Sequence, residues 1–366
     1  MIEILSPAGG EECAYAAINA GTDAIYLGLD RFSARSSAEN FNDENFSKIS
    51  SYARLFGVKG YVALNTIVKD HELESFLNSV VSAWNGGADA IILQDLFLGK
   101  FIKKAAPQIN LHLSTQAGTC NELGAKLAKD FGFDRVILAR ETKIADIEKI
   151  SKIIETETFI QGALCTCFSG QCYMSSFAGG NSGNRGKCKQ PCRKLYSIDR
   201  SGFEEQAYRL SLSDLSVGED INSLINAGVT SFKIEGRMRR PEYVAAAVNY
   251  YKSILSGKNG DVSALKRTYN RGNYTKGLAF GQDKSFISSA VQGHIGEYAG
   301  IIKVENGKYI LQSNLKLSVG DGFKILRGGK EVGGGTCGGA SKSGYVVNTR
   351  VRLKNGDKVL LLRTPH

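Results

Sequence analysis

Five segments of the chain share one pattern, in which a glycine stands shortly before an apolar run, often with an acidic residue between. They are residues 21–27, 57–63, 87–93, 132–138 and 228–234. Glycine adopts the left-handed conformation that ends a helix, and the apolar run suits a strand buried on both faces. Repeated units of this kind predict parallel strands connected by helices.

Eight candidate strands follow from this pattern and from neighbouring apolar runs. They are residues 3–7, 23–29, 59–65, 89–94, 109–114, 134–139, 157–163 and 231–236. Eight such units predict a (β/α)8-type barrel over residues 1–285. Segment 209–214 also has the pattern of a strand, so an open doubly wound sheet remains the alternative. A first-turn proline and an amphipathic pattern predict a helix over 241–256.

The composition of the chain changes from about residue 290. Short alternating segments follow one another, separated by glycines and by Asn-Gly turns at 306–307 and 355–356. Such turns connect antiparallel strands in tight hairpins. Residues 290–366 are therefore predicted to form a small β-barrel.

The region 162–196 contains five of the eight cysteines, in a Gly-, Ser- and Asn-rich context. Cys165 and Cys172 form one close pair, and Cys188 and Cys192 form another. Two pairs of this kind suit convergence of thiolates on one metal centre. Spacing and context together favour an iron–sulfur cluster, while structural zinc and disulfides remain alternatives. Cys167 is interpreted as a small packed residue.

Positive charge accompanies these cysteines. The chain has a net charge of +10 and a pI near 9.1, a balance that attracts polyanions. Segment 268–281 interleaves basic and aromatic residues, a composition that can stack on bases while contacting phosphates. A connecting loop is the alternative for that segment. The residues predicted to bind nucleic acid are Arg185, Lys187, Lys189, Arg193, Lys194 and Arg271.

Polar residues also follow the candidate strands, at the end where a barrel of this type places its active site. They are Ser6, Asn65, Gln94, Asp95, His112, Ser114, Gln116, Arg140, Glu141, Glu235 and Arg237. For any one of them, solvation or a strand-end hydrogen bond is an equally good interpretation, and His112 also suits a core histidine. The region 162–196 follows strand 157–163, so it is expected at the same rim.

Six of these residues form the predicted catalytic set. Arginines can bind a carboxylate or phosphate through two parallel hydrogen bonds, and glutamates can orient them or accept protons. The set is His112, Gln116, Arg140, Glu141, Glu235 and Arg237.

Several function classes lack their signatures in this sequence. No run of about 18 apolar residues predicts a membrane-spanning helix, and the first residues resemble a strand rather than a signal peptide. The expected location is therefore the cytoplasm, where free thiols persist. The G-x-S-x-G, H-E-x-x-H and P-loop motifs are also absent from the sequence.

Longer motifs resemble a known family. FIQGALC followed by SGQCY and then NRGKCKQPCR resembles the signature of the collagenase-like peptidase U32 family. Further matching segments are LSPAG at 5–9, LNT at 64–66, HLSTQ at 112–116, ILARE at 137–141 and AGVTSFKIEGRM at 227–238. Within that family, the chain is most similar to the branch whose members hydroxylate carbon 5 of pyrimidines in ribosomal or transfer RNA.

The resemblance implies an RNA-modifying enzyme, a 4Fe-4S cluster and prephenate as a co-substrate. Arg140 and Arg237 would then hold this small dicarboxylate donor. A peptidase is the alternative, although His112 is the only plausible base for a cysteine nucleophile. A non-catalytic RNA-binding or assembly factor is a second alternative. The motifs leave the choice between ribosomal and transfer RNA open.

Overall fold

The computed structural model describes residues 2–34, 38–169, 171–198 and 206–363. The chain forms two compact units, each made of three segments. Residues 192–214 and 261–275 group with the C-terminal unit, although they precede residue 285. The first unit comprises Met1–Pro191, Leu215–Gly260 and Lys276–Asp283, and the second comprises Cys192–Asp214, Asp261–Thr275 and Lys284–His366.

Eight parallel strands form a closed ring in the first unit, which confirms the (β/α)8-type barrel. The pairing of β6 with β7 closes this ring and rules out an open doubly wound sheet. All eight predicted strands belong to it. They are β1 (Glu3–Pro7), β2 (Ala24–Gly28), β3 (Lys59–Leu64), β4 (Ala90–Leu93), β5 (Leu111–Leu113), β6 (Arg135–Ile137), β7 (Glu155–Ala163) and β9 (Ser231–Ile234).

The candidate ninth strand at 209–214 lies outside this ring. Only its last residue belongs to β8 (Asp214–Ser216), a short strand beside β7. Val217, the residue after β8, donates its N–H to the carbonyl of Ile160 at 3.0 Å. Strand β8 is therefore an addition at the end of β7.

The helices begin and end as the sequence chemistry predicts. The side chains of Asn42 and Asp95 accept backbone N–H groups as helix N-caps. Asp95, predicted as a rim residue, therefore caps the helix that begins at Leu96. The five glycines of the repeated pattern all have φ between +69° and +100°. The helices are α1 (Glu11–Asn19), α2 (Asp43–Leu55), α3 (Leu73–Asn85), α4 (Leu96–Ala105), α5 (Glu122–Asp130), α6 (Ile144–Ser151), α7 (Met174–Gly179), α8 (Ile221–Asn226), α9 (Pro241–Leu255) and α10 (Val262–Thr268).

Charged side chains fill part of the barrel interior. The Arg135 guanidinium contacts Glu3 at 2.7 Å and Glu157 at 3.3 Å, and Lys233 contacts Glu157 at 2.7 Å. Tyr61 donates its hydroxyl to Glu3 at 2.7 Å. Burial alone would raise the pKa of Glu3, but the Arg135 charge and the hydrogen bonds lower it overall. The network therefore holds the Glu3 carboxylate ionised inside the barrel.

The second unit contains a closed antiparallel barrel, which confirms the predicted β-barrel of residues 290–366 apart from 364–366, which lie outside the described residues. Phe323, Ile325, Leu311 and Val359 form the centre of its core. Among the described helices of both units, none is long and apolar enough to cross a bilayer. The strands are β10 (Glu297–Glu305), β11 (Lys308–Gln312), β12 (Gly322–Arg327), β13 (Lys330–Ser341), β14 (Gly344–Asn348) and β15 (Lys358–Arg363).

Replacement of Arg135 tests the ionic network. Arg135→Met leaves Glu3 and Glu157 without their shared buried cation, so it should lower the free energy of unfolding by about 3–5 kcal/mol. Urea denaturation followed by circular dichroism measures this loss. The control is Lys149→Met, because Lys149 forms an exposed pair with Asp146 at 4.0 Å, and its loss should cost at most about 0.5 kcal/mol. Equal losses in the two variants would contradict a stabilising role for the network.

Candidate functional site

An arginine and a glutamate from distant parts of the sequence meet at the C-terminal rim of the barrel. Arg140 follows β6 and Glu235 follows β9, and their side chains form an ion pair at 3.3 Å. The Arg140 guanidinium also lies over the Phe159 ring, 3.8 Å from its centre. The two side chains remain 12% and 14% exposed, so the pair is accessible from the rim.

Ser169 attaches the region 162–196, here called the cysteine loop, to the end of β6. Its hydroxyl donates to Glu141 at 2.9 Å and accepts the backbone N–H of Arg140 at 3.2 Å. Ser169 is fully buried. Glu141 therefore positions the cysteine loop beside the Arg140–Glu235 pair, as the sequence predicts for a loop that follows β7.

Arg237 occupies a second place on the rim. It is buried, and its guanidinium donates to the hydroxyl of Ser33 at 2.8 Å. A Cβ at Gly28 would lie 2.3 Å from the Arg237 guanidinium, so the glycine leaves room for this side chain at the rim. Both predicted arginines thus lie at the rim, each already engaged by protein groups.

Glutamine side chains line the adjacent ends of β4 and β5. Gln94 and Gln171 each donate to the backbone carbonyl of Gln116 at 3.4 Å. The side-chain oxygens of Gln94 and Gln116 are buried and lack a partner among the described residues. Gln116 therefore connects β5 to the cysteine loop through its backbone, while its buried side-chain oxygen has no partner among the described residues.

His112 lies inside the barrel, within the ionic network. Its ring meets the Tyr61 ring edge-on at 4.8 Å, and its Nδ1 has no partner among the described residues. Burial and the positive charges of Arg135 and Lys233 lower the pKa of His112 well below its ordinary value. The core interpretation therefore fits His112, whose neutral ring lies buried beside Tyr61 and among cations.

The cysteine loop brings several thiols together. The Cys167 thiol donates to the Gln171 carbonyl at 3.3 Å, and burial together with the neighbouring Cys172 and Cys165 raises the pKa of Cys167. Cys167 was not predicted to be a metal ligand, but it lies beside Cys165 and Cys172, two of the four predicted ligands.

Cys188 comes near the same place. A Cβ at Gly183 would lie 3.5 Å from the Cys172 carbonyl and 3.7 Å from the Cys188 Cβ. The Cys188 sulfur accepts the backbone N–H of Gln190 at 3.3 Å. Backbone N–H donors of this kind stabilise a thiolate. Cys192 begins the second compact unit.

The donor set suits a thiolate-bound centre by its chemistry. All eight cysteines are free, so the structure does not support the alternative that the loop cysteines form disulfides. As the side chains are placed, no three His, Cys, Asp or Glu groups of the described residues converge on a metal position. The soft sulfur donors fit iron–sulfur or zinc in kind, and the ligand set remains a prediction.

Three of the predicted RNA-binding residues are exposed cations. Lys187, Lys189 and Lys194 are available to a polyanion. Arg185 instead forms two hydrogen bonds with Glu72, at 2.6 and 2.9 Å. These bonds lower the pKa of Glu72 to about 2, so Arg185 attaches the cysteine loop to the start of α3.

The predicted phosphate contacts of Arg193 and Arg271 require correction. Arg193 is buried and donates to Ser211 at 2.8 Å. Arg271 is also buried and pairs with Asp214 at 3.2 Å. Both guanidinium groups lie below the surface that an RNA phosphate backbone would contact, so both arginines instead stabilise the second unit.

Exposed aromatic residues of the cysteine loop are a feature that sequence reasoning missed. Phe177 is 91% exposed and Tyr173 is 54% exposed, and Phe168 is also exposed. The backbone N–H of Lys189 donates to the hydroxyl of Ser175, which brings Lys189 to the helix that carries Phe177. An aromatic residue is normally expected in a core, so only the folded loop reveals this surface.

A small, largely apolar cleft lies beside β6 and β7. Leu138, Phe159, Leu215 and Leu278 contribute to its walls, and Arg140 reaches it from the rim. The wall residues come from separate segments of the chain, so no sequence motif predicts this cleft.

Comparison with known proteins identifies related sequences. A sequence model of peptidase family U32 matches residues 9–287. A 23S rRNA 5-hydroxycytidine synthase from Escherichia coli is 34% identical over 349 residues, which cover 89% of this chain and 52% of that protein. The tRNA hydroxylation protein P1 of Bacillus subtilis is 33% identical over 270 residues, covering 71% of this chain and 64% of that protein.

A third relative has a different name. The collagenase of Porphyromonas gingivalis is 35% identical over 309 residues, which cover 76% of this chain and 74% of that protein. The chain spans between half and two thirds of the length of the two RNA-related proteins.

The charge state of His112 is a direct test of the interior. Burial, Arg135, Lys233 and Lys59 all disfavour its protonated form, so its ring should stay neutral as the pH falls through about 6.5. The unfolded chain takes up that proton more readily, so His112 lowers the stability of the fold below this pH. Nitrogen-15 chemical shifts of the ring measure its charge. A titration midpoint near the ordinary value would contradict this placement.

Proposed function

The chain belongs to peptidase family U32, and on that basis we propose that it is an enzyme that hydroxylates carbon 5 of a pyrimidine in ribosomal or transfer RNA. The observation that carries this proposal is the similarity to two RNA-modification proteins over 89% and 71% of the chain. The matched family region includes the rim residues and the cysteine loop.

The chemistry requires more than amino-acid side chains, because carbon 5 of a pyrimidine is not activated for oxygenation. We assign Cys165, Cys172, Cys188 and Cys192 as the ligands of an iron–sulfur cluster. Such a cluster supplies electron transfer when bound. The neighbouring N–H of Gln190 would stabilise the Cys188 thiolate. Zinc is the alternative occupant.

The exposed surface of the cysteine loop suits a single-stranded RNA segment. Lys187, Lys189 and Lys194 would neutralise phosphates, while Tyr173 and Phe177 would stack on bases. The target base has to leave its stack to reach a pocket at a barrel rim. Bases splayed onto aromatic side chains are how proteins commonly recognise RNA loops.

The rim offers groups for a small carboxylate donor, for which prephenate is our candidate. A carboxylate bound to Arg140 would share the guanidinium with Glu235, and Arg237 would bind the second carboxylate. Glu141 and Glu235 are candidate proton acceptors. The side-chain oxygen of Gln116, which has no partner among the described residues, is a candidate acceptor for the base edge.

A peptidase is the second candidate because of the similarity to the collagenase. A cysteine nucleophile requires a histidine within hydrogen-bond reach. His71, His112 and His294 are described, and none of them hydrogen bonds to a cysteine; His112 contacts Tyr61, and His294 contacts backbone groups. The site therefore supports hydroxylation better. The proposed RNA substrate and the reduced thiols support a cytoplasmic location for the reaction as part of this proposal.

The proposed reaction is tested by mass spectrometry of nucleosides from a strain that lacks this gene. Loss of 5-hydroxycytidine from ribosomal RNA, or of 5-hydroxyuridine derivatives from transfer RNA, identifies the target. Restoration by the wild-type gene completes the test. An unchanged set of nucleosides in both RNA classes would refute the proposal and favour the peptidase or a non-catalytic factor.

Serine substitutions test the cluster ligands. Anaerobically purified protein should contain about four iron and four sulfide per chain. Serine at Cys165, Cys172, Cys188 or Cys192 should remove the iron and abolish hydroxylation, since serine is a poor ligand for iron–sulfur clusters. Cys167→Ser and Cys120→Ser are controls that should retain both. Stoichiometric zinc in a colourless, active protein would exclude the cluster.

Conservative arginine substitutions test the donor site. Arg237→Lys keeps the charge but loses the planar guanidinium, so it should lower hydroxylation by about a hundredfold with prephenate present. Arg140→Lys should have a similar effect. RNA affinity, iron content and thermal melting should remain those of the wild type. Full activity in both variants, or equal product with prephenate withheld, would show that the donor assignment is wrong.

A further inference from the structure

The segment between β14 and β15 presents alternating basic and apolar residues. Arg350, Arg352 and Lys354 are exposed, whereas Leu353 is only 4% exposed within the core of the C-terminal barrel and Val351 packs against that core. The inward apolar residues fix the basic ones on the outer surface. Lys358, also exposed, begins the next strand. These four cations are here called the basic ridge.

We infer that the basic ridge is a second RNA-contacting surface, which binds the phosphate backbone of the substrate separately from the cysteine loop. The inference depends on the proposed function for the identity of the polyanion. It concerns residues beyond the matched family region, which ends at residue 287.

The charge of the chain is concentrated in the module that carries the ridge. Residues 290–366 contain twelve Lys or Arg and five Asp or Glu, whereas residues 1–289 contain thirty-four and thirty-one. Seven of the ten net positive charges thus belong to the last 77 residues. The matched family region is close to neutral, so electrostatic attraction for a polyanion comes mainly from the C-terminal module.

The acidic residues of this module are already committed to other partners. Four of the five form ion pairs, and Asp321 is fully buried. Among the described residues, no ion pair involves Arg350, Arg352, Lys354 or Lys358. The four acid–base pairs are Glu297 with Arg267, Glu305 with Lys303, Glu331 with Lys324 and Asp357 with Arg327.

Hydrogen bonds hold the ridge backbone in place. Arg327 pairs with Asp357 through two bonds of 2.8 and 2.7 Å and donates to the carbonyl of Arg352 at 3.1 Å. Asp357 accepts the backbone N–H of Lys354 at 2.8 Å. The Thr349 hydroxyl donates to the carbonyl of Gly334 at 2.7 Å. A positioned ridge loses less conformational entropy on binding than a flexible basic tail.

RNA fits this surface better than an anionic bilayer does. Membrane-surface segments combine basic residues with apolar side chains that enter the lipid. The apolar residues of this segment, Val351 and Leu353, face the barrel core instead. The two arginines can bind phosphates through paired hydrogen bonds, which suits a regular phosphate backbone.

Neutralisation of the ridge provides the test. A triple variant with Arg350→Gln, Arg352→Gln and Lys354→Gln should bind total tRNA and a 23S rRNA fragment about tenfold or more weakly. The slope of log affinity against log salt should decrease by about two. The matched control replaces Lys308, Lys316 and Lys342 by glutamine, which removes the same charge elsewhere on the barrel. It should retain most of the affinity.

The outcomes separate this inference from the proposed function. Wild-type affinity and slope in the ridge variant would overturn the inference, and so would equal losses in both triple variants. Binding to phosphatidylserine vesicles that exceeds binding to RNA would also overturn it. If the ridge variant loses RNA affinity while the gene deletion leaves every nucleoside unchanged, the ridge stands and the proposed hydroxylation fails. Identical thermal melting confirms that all the variants fold.

Discussion

Closure of the barrel depends on a cation buried among carboxylates. Arg135 of β6 contacts Glu3 of β1 and Glu157 of β7, and Lys233 of β9 contacts the same glutamate. These four strands lie where the ring closes, because β6 pairs with β7, β7 with β9, and β9 with β1. A charge removed from water is tolerated only with close partners, so the network has its favourable energy only when the strands are in register.

The candidate site is a consequence of that closure. Arg140 and Glu235 are 95 residues apart in sequence and form a pair because β6 and β9 both flank β7. Ser169 then ties the loop that follows β7 to the same place. A barrel rim below an attached, thiol-bearing loop would bring the proposed redox centre and the proposed small donor close together. Proximity of this kind is a main source of catalytic rate.

Positive charge has two separate uses in this protein. Arg193 and Arg271 are enclosed in the second unit, where each has protein partners. Lys187, Lys189 and the basic ridge remain exposed. Arginine suits the first use because its planar guanidinium satisfies several acceptors at once. The proximity of basic residues in sequence therefore does not by itself identify a nucleic-acid surface.

The sequence by itself determined the eight strands, the glycines that end the helices and the location of the cysteine loop at the rim, because these follow from local backbone preferences and apolar patterning. Only the tertiary structure decided the roles of individual polar side chains. His112 alternates with Ser114 and Gln116 in sequence, yet its neighbours Tyr61 and Arg135 place it in the interior. Asp95 has the position of a rim residue and caps a helix. Burial and pairing depend on residues from distant segments, and a single sequence does not state which segments meet.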